Sequence, residues 1–171
     1  MTATAPGYRH LICTALSLGE WAVTAEPDAL LTCVGLGSCV AVTMHDPVAK
    51  VGGMAHMVLP DSTAARSAAV GAKFVDIGIP LVLEALLAQG AQRRRLRVCL
   101  AGGAQMLQSA LAPGGVHIGQ RNAEAAREQL KALGLGVGGE RLGGTRGRTV
   151  RLVVATGRVT AAESGDQEVE L

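Results

Sequence analysis

Aromatic side chains are almost absent from this chain: Phe74, Tyr8 and Trp21 are the only three in 171 residues. That excludes a wall of stacking rings for single-stranded nucleic acid and requires an aliphatic core. Excess charge is equally scarce. Sixteen Lys and Arg against 14 Asp and Glu leave a net of +2, too little for an electrostatic footprint on nucleic acid. The densest basic run, "QRRRLR" from Gln92 to Arg97, reads as a solvated helix end with its loop, where cations suit the helix dipole. The other reading is a patch for an anionic partner. No apolar run approaches the ~18 residues of a membrane span, so membrane insertion is not expected. The N-terminus lacks the basic stretch and long apolar stretch of a secretory leader. Cys13, Cys33, Cys39 and Cys99 have no C-x-x-C spacing, so the expectation is a cytoplasmic protein with free thiols.

What is present is an ordinary folding composition, 49% apolar and 18% charged over 171 residues, enough for one domain with a sizeable core. The expected domain is 1–171, with residues 1–8 and the acidic stretch 163–171 as loose tails. "GEWAVTA" and "ALLTCV" read as short strands. In "CVAVTMHD", Val40, Val42 and Met44 alternate with Ala41, Thr43 and His45, the period of a half-buried strand. Asp46-Pro47 turns the chain, and Lys50 to Pro60 reads as the return strand. Gly52-Gly53 within it marks a bulge or a close backbone approach. Phe74 to Gly90 has helical composition, with Pro80 either kinking that helix or starting a new one. "LRVCLAGGA" is an apolar strand with Cys99 in the core. Asn122 to Gly134 is the clearest helix, Asn122 its N-cap and Gly134 its stop. The remaining strands include a hairpin at Thr156-Gly157. Mixed strands and helices without strict alternation favour an α+β arrangement.

Three glycine-rich turns invite a phosphate. "GLGSCV" puts Val40 where a dinucleotide fingerprint needs its third glycine, "LAGGAQML" lacks a P-loop lysine, and "LGGTRGR" reads as a turn between strands. Cys33, Cys39, His45 and His56 are four possible zinc ligands, but C-x5-C-x5-H-x10-H is not a usual structural-zinc spacing; no metal or other cofactor is expected. The third option is nucleophilic catalysis. A thiol needs a base within hydrogen-bond reach, and a hairpin turning near residues 47–49 brings Cys39 close to opposite His56. Gly37 and Ser38 form the turn before Cys39, whose backbone N–H groups are available to a developing oxyanion. The plain alternative is a small hydrophobe after an ordinary turn. Spacing alone leaves both readings open.

"LGSCVAVTMHDPVAKVGGMAHMVLP", Leu36 to Pro60, closely resembles the signature of the CheD family, chemoreceptor glutamine deamidases of bacterial chemotaxis. The resemblance continues through "KFVDIGIPLVLEALLAQGA", "LAGGAQM", "HIGQRNAEAAREQLKALG" and "GGTRGRTVRLVVATGRV", roughly Gly19 to Val159. It implies a layered β-sandwich with helices packed on the outside, shared with a bacterial toxin deamidase domain. It implies a protein-glutamine glutaminase, with Cys39 the nucleophile and His56 its base. The family's third active-site residue is a threonine six positions before the cysteine. Here that position is Cys33, with Thr32 beside it as a doubtful substitute, since adjacent strand residues face opposite ways. Cys33 is a weak hydrogen-bond partner and is also able to pair oxidatively with Cys39. The implied partners are the cytoplasmic helices of chemoreceptors, as substrate, and the CheC phosphatase. Weak receptor methylesterase activity fits the same geometry. The alternative is a non-catalytic adaptor for receptors or CheC, with Pro60 to Ala72 and the "RRR" run as candidate contact surfaces.

Overall fold

The structure is a computed structural model that describes residues 8–63, 65, 71–106 and 117–171. Among these residues the chain forms two five-stranded sheets and two helices. In one sheet β2 (Trp21–Thr24), β5 (Val51–Met57), β4 (Val40–Asp46), β6 (Arg97–Gly102) and β7 (Val137–Leu142) lie side by side in that order. The other runs β1 (Ile12–Ala15), β3 (Ala29–Leu36), β8 (Arg148–Val153), β9 (Arg158–Glu163), β10 (Val169–Glu170). Helices α1 (Val75–Ala88) and α2 (Ile118–Ala132) cover the first sheet only. The expected α+β sandwich with outer helices is therefore present, as three layers: helices, sheet, sheet.

Strand β4 shows how the layers arise. Val40, Val42 and Met44 pack with Val75, Ile79 and Leu86 of α1 and Ala126 and Leu130 of α2. The alternate residue Ala41 packs with Met54, Cys33 and Leu152 between the sheets. The alternation is as read from the sequence, but the strand is buried on both faces rather than half-buried. Its small and polar residues face a second sheet instead of water. β5 pairs with β4 in unbroken register, so Gly52-Gly53 is no bulge. A Cβ at Gly53 would lie 2.7 Å from Val23 and 2.8 Å from Val82, so the glycine serves a close approach.

The structure decides or changes further points. α1 begins at Val75, so Pro80 lies inside one helix rather than starting a second. α2 begins at Ile118, a turn before Asn122, so Asn122 is not its N-cap. β1 is fully exposed and has no apolar period to announce it; it is held by parallel pairing with β3. Within the stretch 163–171, Glu163 ends β9 and Val169–Glu170 pair with β9 as β10. The Tyr8 ring is buried and its hydroxyl donates to Glu168 at 2.7 Å. Residues 1–7 lie outside the described residues, as do 64 and 66–70 of the proposed contact stretch Pro60 to Ala72.

The basic run is largely consumed by the fold. Arg93 donates to the Leu133 carbonyl at the end of α2. Arg95 pairs with the fully buried Asp46 at 2.8 Å. Asp46 also accepts the N–H groups of Val48 (2.9 Å), Ala49 (3.1 Å) and Gln92 (2.8 Å). It thus fastens the β4–β5 turn to the loop before β6. Those donors hold the Asp46 carboxyl well below the usual carboxylate range, although burial alone works the other way. Its folded value lies below its unfolded one, so it stabilises the fold above about pH 4 and the contribution fades as the pH falls further. Asp46→Ala is expected to cost about 3 kcal/mol at pH 7, since it strands Arg95 and three N–H donors. Urea midpoints at pH 7 and pH 3 measure this: the gap between variant and wild type narrows at the lower pH.

Candidate active site

The Gly37-Ser38-Cys39 turn joins β3 to β4 and is fixed by all three of its carbonyls. Gly37 accepts from the N–H of Ala104 at 2.7 Å, and Cys39 from that of Gly103 at 2.7 Å. Ser38 accepts from Asn122 Nδ2 at 2.8 Å. Gly102 makes this approach possible: its φ is +117°, and any Cβ there would collide with the Cys39 carbonyl. With the carbonyls committed outward, the N–H groups of Ser38 and Cys39 have no backbone acceptor among the described residues. Cys39 is half-buried. Burial pushes its thiol pKa up, while its own backbone N–H works in the opposite direction, toward the thiolate.

His56 comes from β5, directly opposite Ala41. Cys39 precedes β4, which begins at Val40, and its side chain packs against the cluster of Cys33, Ala41 and Met54 between the sheets, the side on which Ala41 and its partner His56 lie. No bulge is needed to bring them to one face. The His56 ring is buried at 3% exposure, and Nδ1 lies 3.0 Å from the Leu16 carbonyl. A carbonyl only accepts, so Nδ1 carries a hydrogen, and in the neutral ring the lone pair is then on Nε2. That Nε2 is buried without a partner among the described residues, a cost that calls for a functional reason. The backbone is pinned as well: His56 N–H donates to Glu20 and its carbonyl accepts from Gly19.

The other candidates separate cleanly. Cys33 is wholly buried between the sheets, its thiol 3.4 Å from the sulfur of Met54. Burial drives its pKa far up, and the nearby Cys39 adds to this, so Cys33 remains a neutral thiol beside Cys39. Thr32 points to the other side of β3, where its hydroxyl accepts from the Cys13 thiol at 3.6 Å. It therefore cannot stand in for a residue at position 33; the strand period decides it. His45 lies six residues along β4 from Cys39, about 20 Å away, with Nε2 2.9 Å from the Val154 carbonyl. The four-ligand zinc set is thus split between the two ends of a strand.

Two residues escaped the sequence reading. Asn122 is fully buried within α2, on the face that carries Gly119, Ala123, Ala126 and Leu130. A polar residue in that stripe was the available signal. Arg148 is also buried, donating to the carbonyls of Gly102, Arg141 and Gly143. It closes the ends of β6 and β7 beside the Cys39 turn. Nothing in its local sequence distinguishes it from an exposed strand arginine.

Fold and site together define an α+β layered sandwich with a cysteine–histidine pair where the first strand of a buried hairpin begins. A family model described as CheD chemotactic sensory transduction matches residues 58–163. A probable chemoreceptor glutamine deamidase CheD of Symbiobacterium thermophilum is 44% identical over 158 residues, covering 92% of this chain and 96% of the relative. The chemoreceptor glutamine deamidase CheD of Thermotoga maritima is 42% identical over 153 residues, 90% of this chain and 93% of that one. The chain belongs to the CheD family. The family model begins after His56, whereas a match over 92% of the chain is long enough to include both Cys39 and His56. Among solved structures, the Bacillus licheniformis hypothetical protein YfiH matches with a TM-score of 0.46 at 18% identity. That match covers 71% of this chain and 49% of that one.

Proposed function

We propose that this chain is a chemoreceptor glutamine deamidase in which Cys39 is the nucleophile and His56 its base. The observation that carries the reading is the His56 ring. Its Nδ1 is committed to Leu16, its buried Nε2 has no partner among the described residues, and His56 sits opposite Ala41, two residues from Cys39. Burial keeps the resting Cys39 a neutral thiol, so deprotonation accompanies attack. The Cys39 sulfur bonds to the side-chain carboxamide carbon of a receptor glutamine as Nε2 takes the thiol proton. The N–H groups of Ser38 and Cys39 receive the oxyanion. Collapse breaks the C–N bond, and protonated His56 gives its proton to the departing ammonia. A glutamyl thioester remains. Water attacks it with Nε2 as base, the C–S bond breaks, and the proton returns to the thiol. The net change is Gln plus water to Glu plus ammonia.

The substrate would be the cytoplasmic helices of chemoreceptors, which places the enzyme in the cytoplasm. A glutamyl methyl ester fits the same steps, with methanol leaving. A CheC phosphatase partner, and an adaptor role in place of catalysis, remain readings from the resemblance. The test is ammonia release from a receptor cytoplasmic fragment, with mass spectrometry for the gain of about one mass unit per converted glutamine. Conversion by wild type supports the enzyme. Receptor binding without conversion supports the adaptor. The Cys33 position is tested in the same assay. A hydroxyl is a stronger hydrogen-bonding group than a thiol, so Cys33→Thr is expected to raise kcat several-fold. An unchanged kcat would remove position 33 from the chemistry.

A further inference from the structure

We infer that Asn122 is a positioning residue for the reaction: its side-chain amide clamps the Cys39 turn to the end of the His56 strand. The inference rests on the Cys39–His56 reading above. One hydrogen of Nδ2 goes to the Ser38 carbonyl at 2.8 Å, one residue before the nucleophile. The other goes to the Val58 carbonyl at 2.9 Å, two residues after the base and just past the end of β5. Both acceptors are backbone carbonyls, so the amide cannot be flipped: an oxygen in place of Nδ2 would face two oxygens. Asn122 is fully buried, and its Oδ1 has no partner among the described residues. An unpartnered buried acceptor inside an apolar helix stripe is costly, and packing alone would be better served by an aliphatic residue. What the asparagine supplies is a pair of donors at one fixed separation.

The position of the clamp matters because Cys39 lies outside the β4–β5 ladder, which begins with Val40 opposite Met57. Beyond that pair no strand register sets the distance between the Cys39 turn and the chain leaving His56. Asn122 spans that gap from a third element. Its helix is set against the same turn from below: Gly119, one turn earlier, packs so tightly on Gly103 that a Cβ there would lie 2.6 Å from the Gly103 carbonyl. Gly103 is itself the residue whose N–H holds the Cys39 carbonyl. α2 therefore fixes the nucleophile turn through Gly103 and ties it to the His56 strand through Asn122.

The test compares Asn122→Ala with Ala126→Gly, a destabilising change on the same helix face one turn further from the turn. Both are measured as full-length protein for thermal stability, for kcat and KM on the receptor fragment, and for alkylation of Cys39 by iodoacetamide. Alkylation is followed peptide by peptide, because Cys13 is also exposed. Per folded molecule, Asn122→Ala is expected to lower kcat 10- to 100-fold at an unchanged KM and to slow Cys39 alkylation, as about 1 Å of misplacement does in general. Ala126→Gly is expected to change neither. If Asn122→Ala does not fold, Asn122→Ser is read in its place; it keeps one donor and loses one bond, and a several-fold fall in kcat is expected. The inference is overturned if kcat and Cys39 alkylation per folded molecule match wild type. An active Cys39→Ala protein would instead overturn the catalytic reading on which it rests.

Discussion

Cys39→Ala is expected to release no ammonia above background from receptor fragment while keeping its fold. The reaction as derived runs through a bond to the Cys39 sulfur, and no second thiol can supply one. Cys33 is the nearest alternative, but it is wholly buried, in contact with Met54, and pushed far from ionisation by burial. Cys99 is buried in β6, and Cys13 is on the exposed strand β1 at the outer edge of the other sheet. Removal of a nucleophile that acts as a unit with its base has cost about a millionfold elsewhere, so a loss of at least ~10⁴ in kcat is a cautious figure for this site. Stability should change little. Cys39 is half-buried, and the turn is held by its carbonyls, which the substitution leaves in place. A melting temperature within a few degrees of wild type, together with retained receptor binding, separates lost chemistry from lost structure. Turnover by a folded Cys39→Ala protein would reject the thioester route.

The part of this site that was legible in the sequence is the part built by one hairpin. Strand period and turn position are local properties, and they put His56 opposite Ala41, two residues from Cys39. What was not legible depends on a third element. The alternation of β4 could not say that its small face meets a second sheet, because Ala41 and Thr43 look the same against water as against Cys33 and Met54. Asparagine before an apolar stripe is the ordinary cap signal, so the sequence points to Asn122 as a helix cap. The side chain is instead drawn inward by two carbonyls 84 and 64 residues away in sequence. The acidic C-terminal stretch gave no apolar reason to order, yet Arg151 pairs with Glu168 just before β10 and Arg158 with Glu170 within it. In each case the deciding partner is distant in the chain, and local propensity yields to it.

His56→Gln is the second large effect, and it tests how the base is prepared rather than whether one exists. Glutamine is close to histidine in size and can still donate to the Leu16 carbonyl, but it has no basic nitrogen for the thiol proton. General-base assistance contributes about 10²- to 10⁴-fold. It is used twice here, for attack and for thioester hydrolysis, with acid assistance to the leaving ammonia between them. A fall in kcat of ~10³ or more is therefore expected, with a much smaller change in KM, because Nε2 is asked to move protons during reaction rather than to hold the bound substrate. The order of the two half-reactions gives a sharper readout. A variant that still acylates but hydrolyses slowly would accumulate a covalent adduct on Cys39, visible by intact mass. One blocked at attack would accumulate none. Since burial keeps the Cys39 thiol neutral at rest, attack is the step most dependent on Nε2, and no adduct is expected at neutral pH. Raising the pH toward the thiol's elevated pKa should partly restore His56→Gln, because hydroxide then does what Nε2 did. Cys39→Ala should gain nothing from the same change. A His56→Gln protein with near-wild-type kcat at neutral pH would show that Nε2 is not the base.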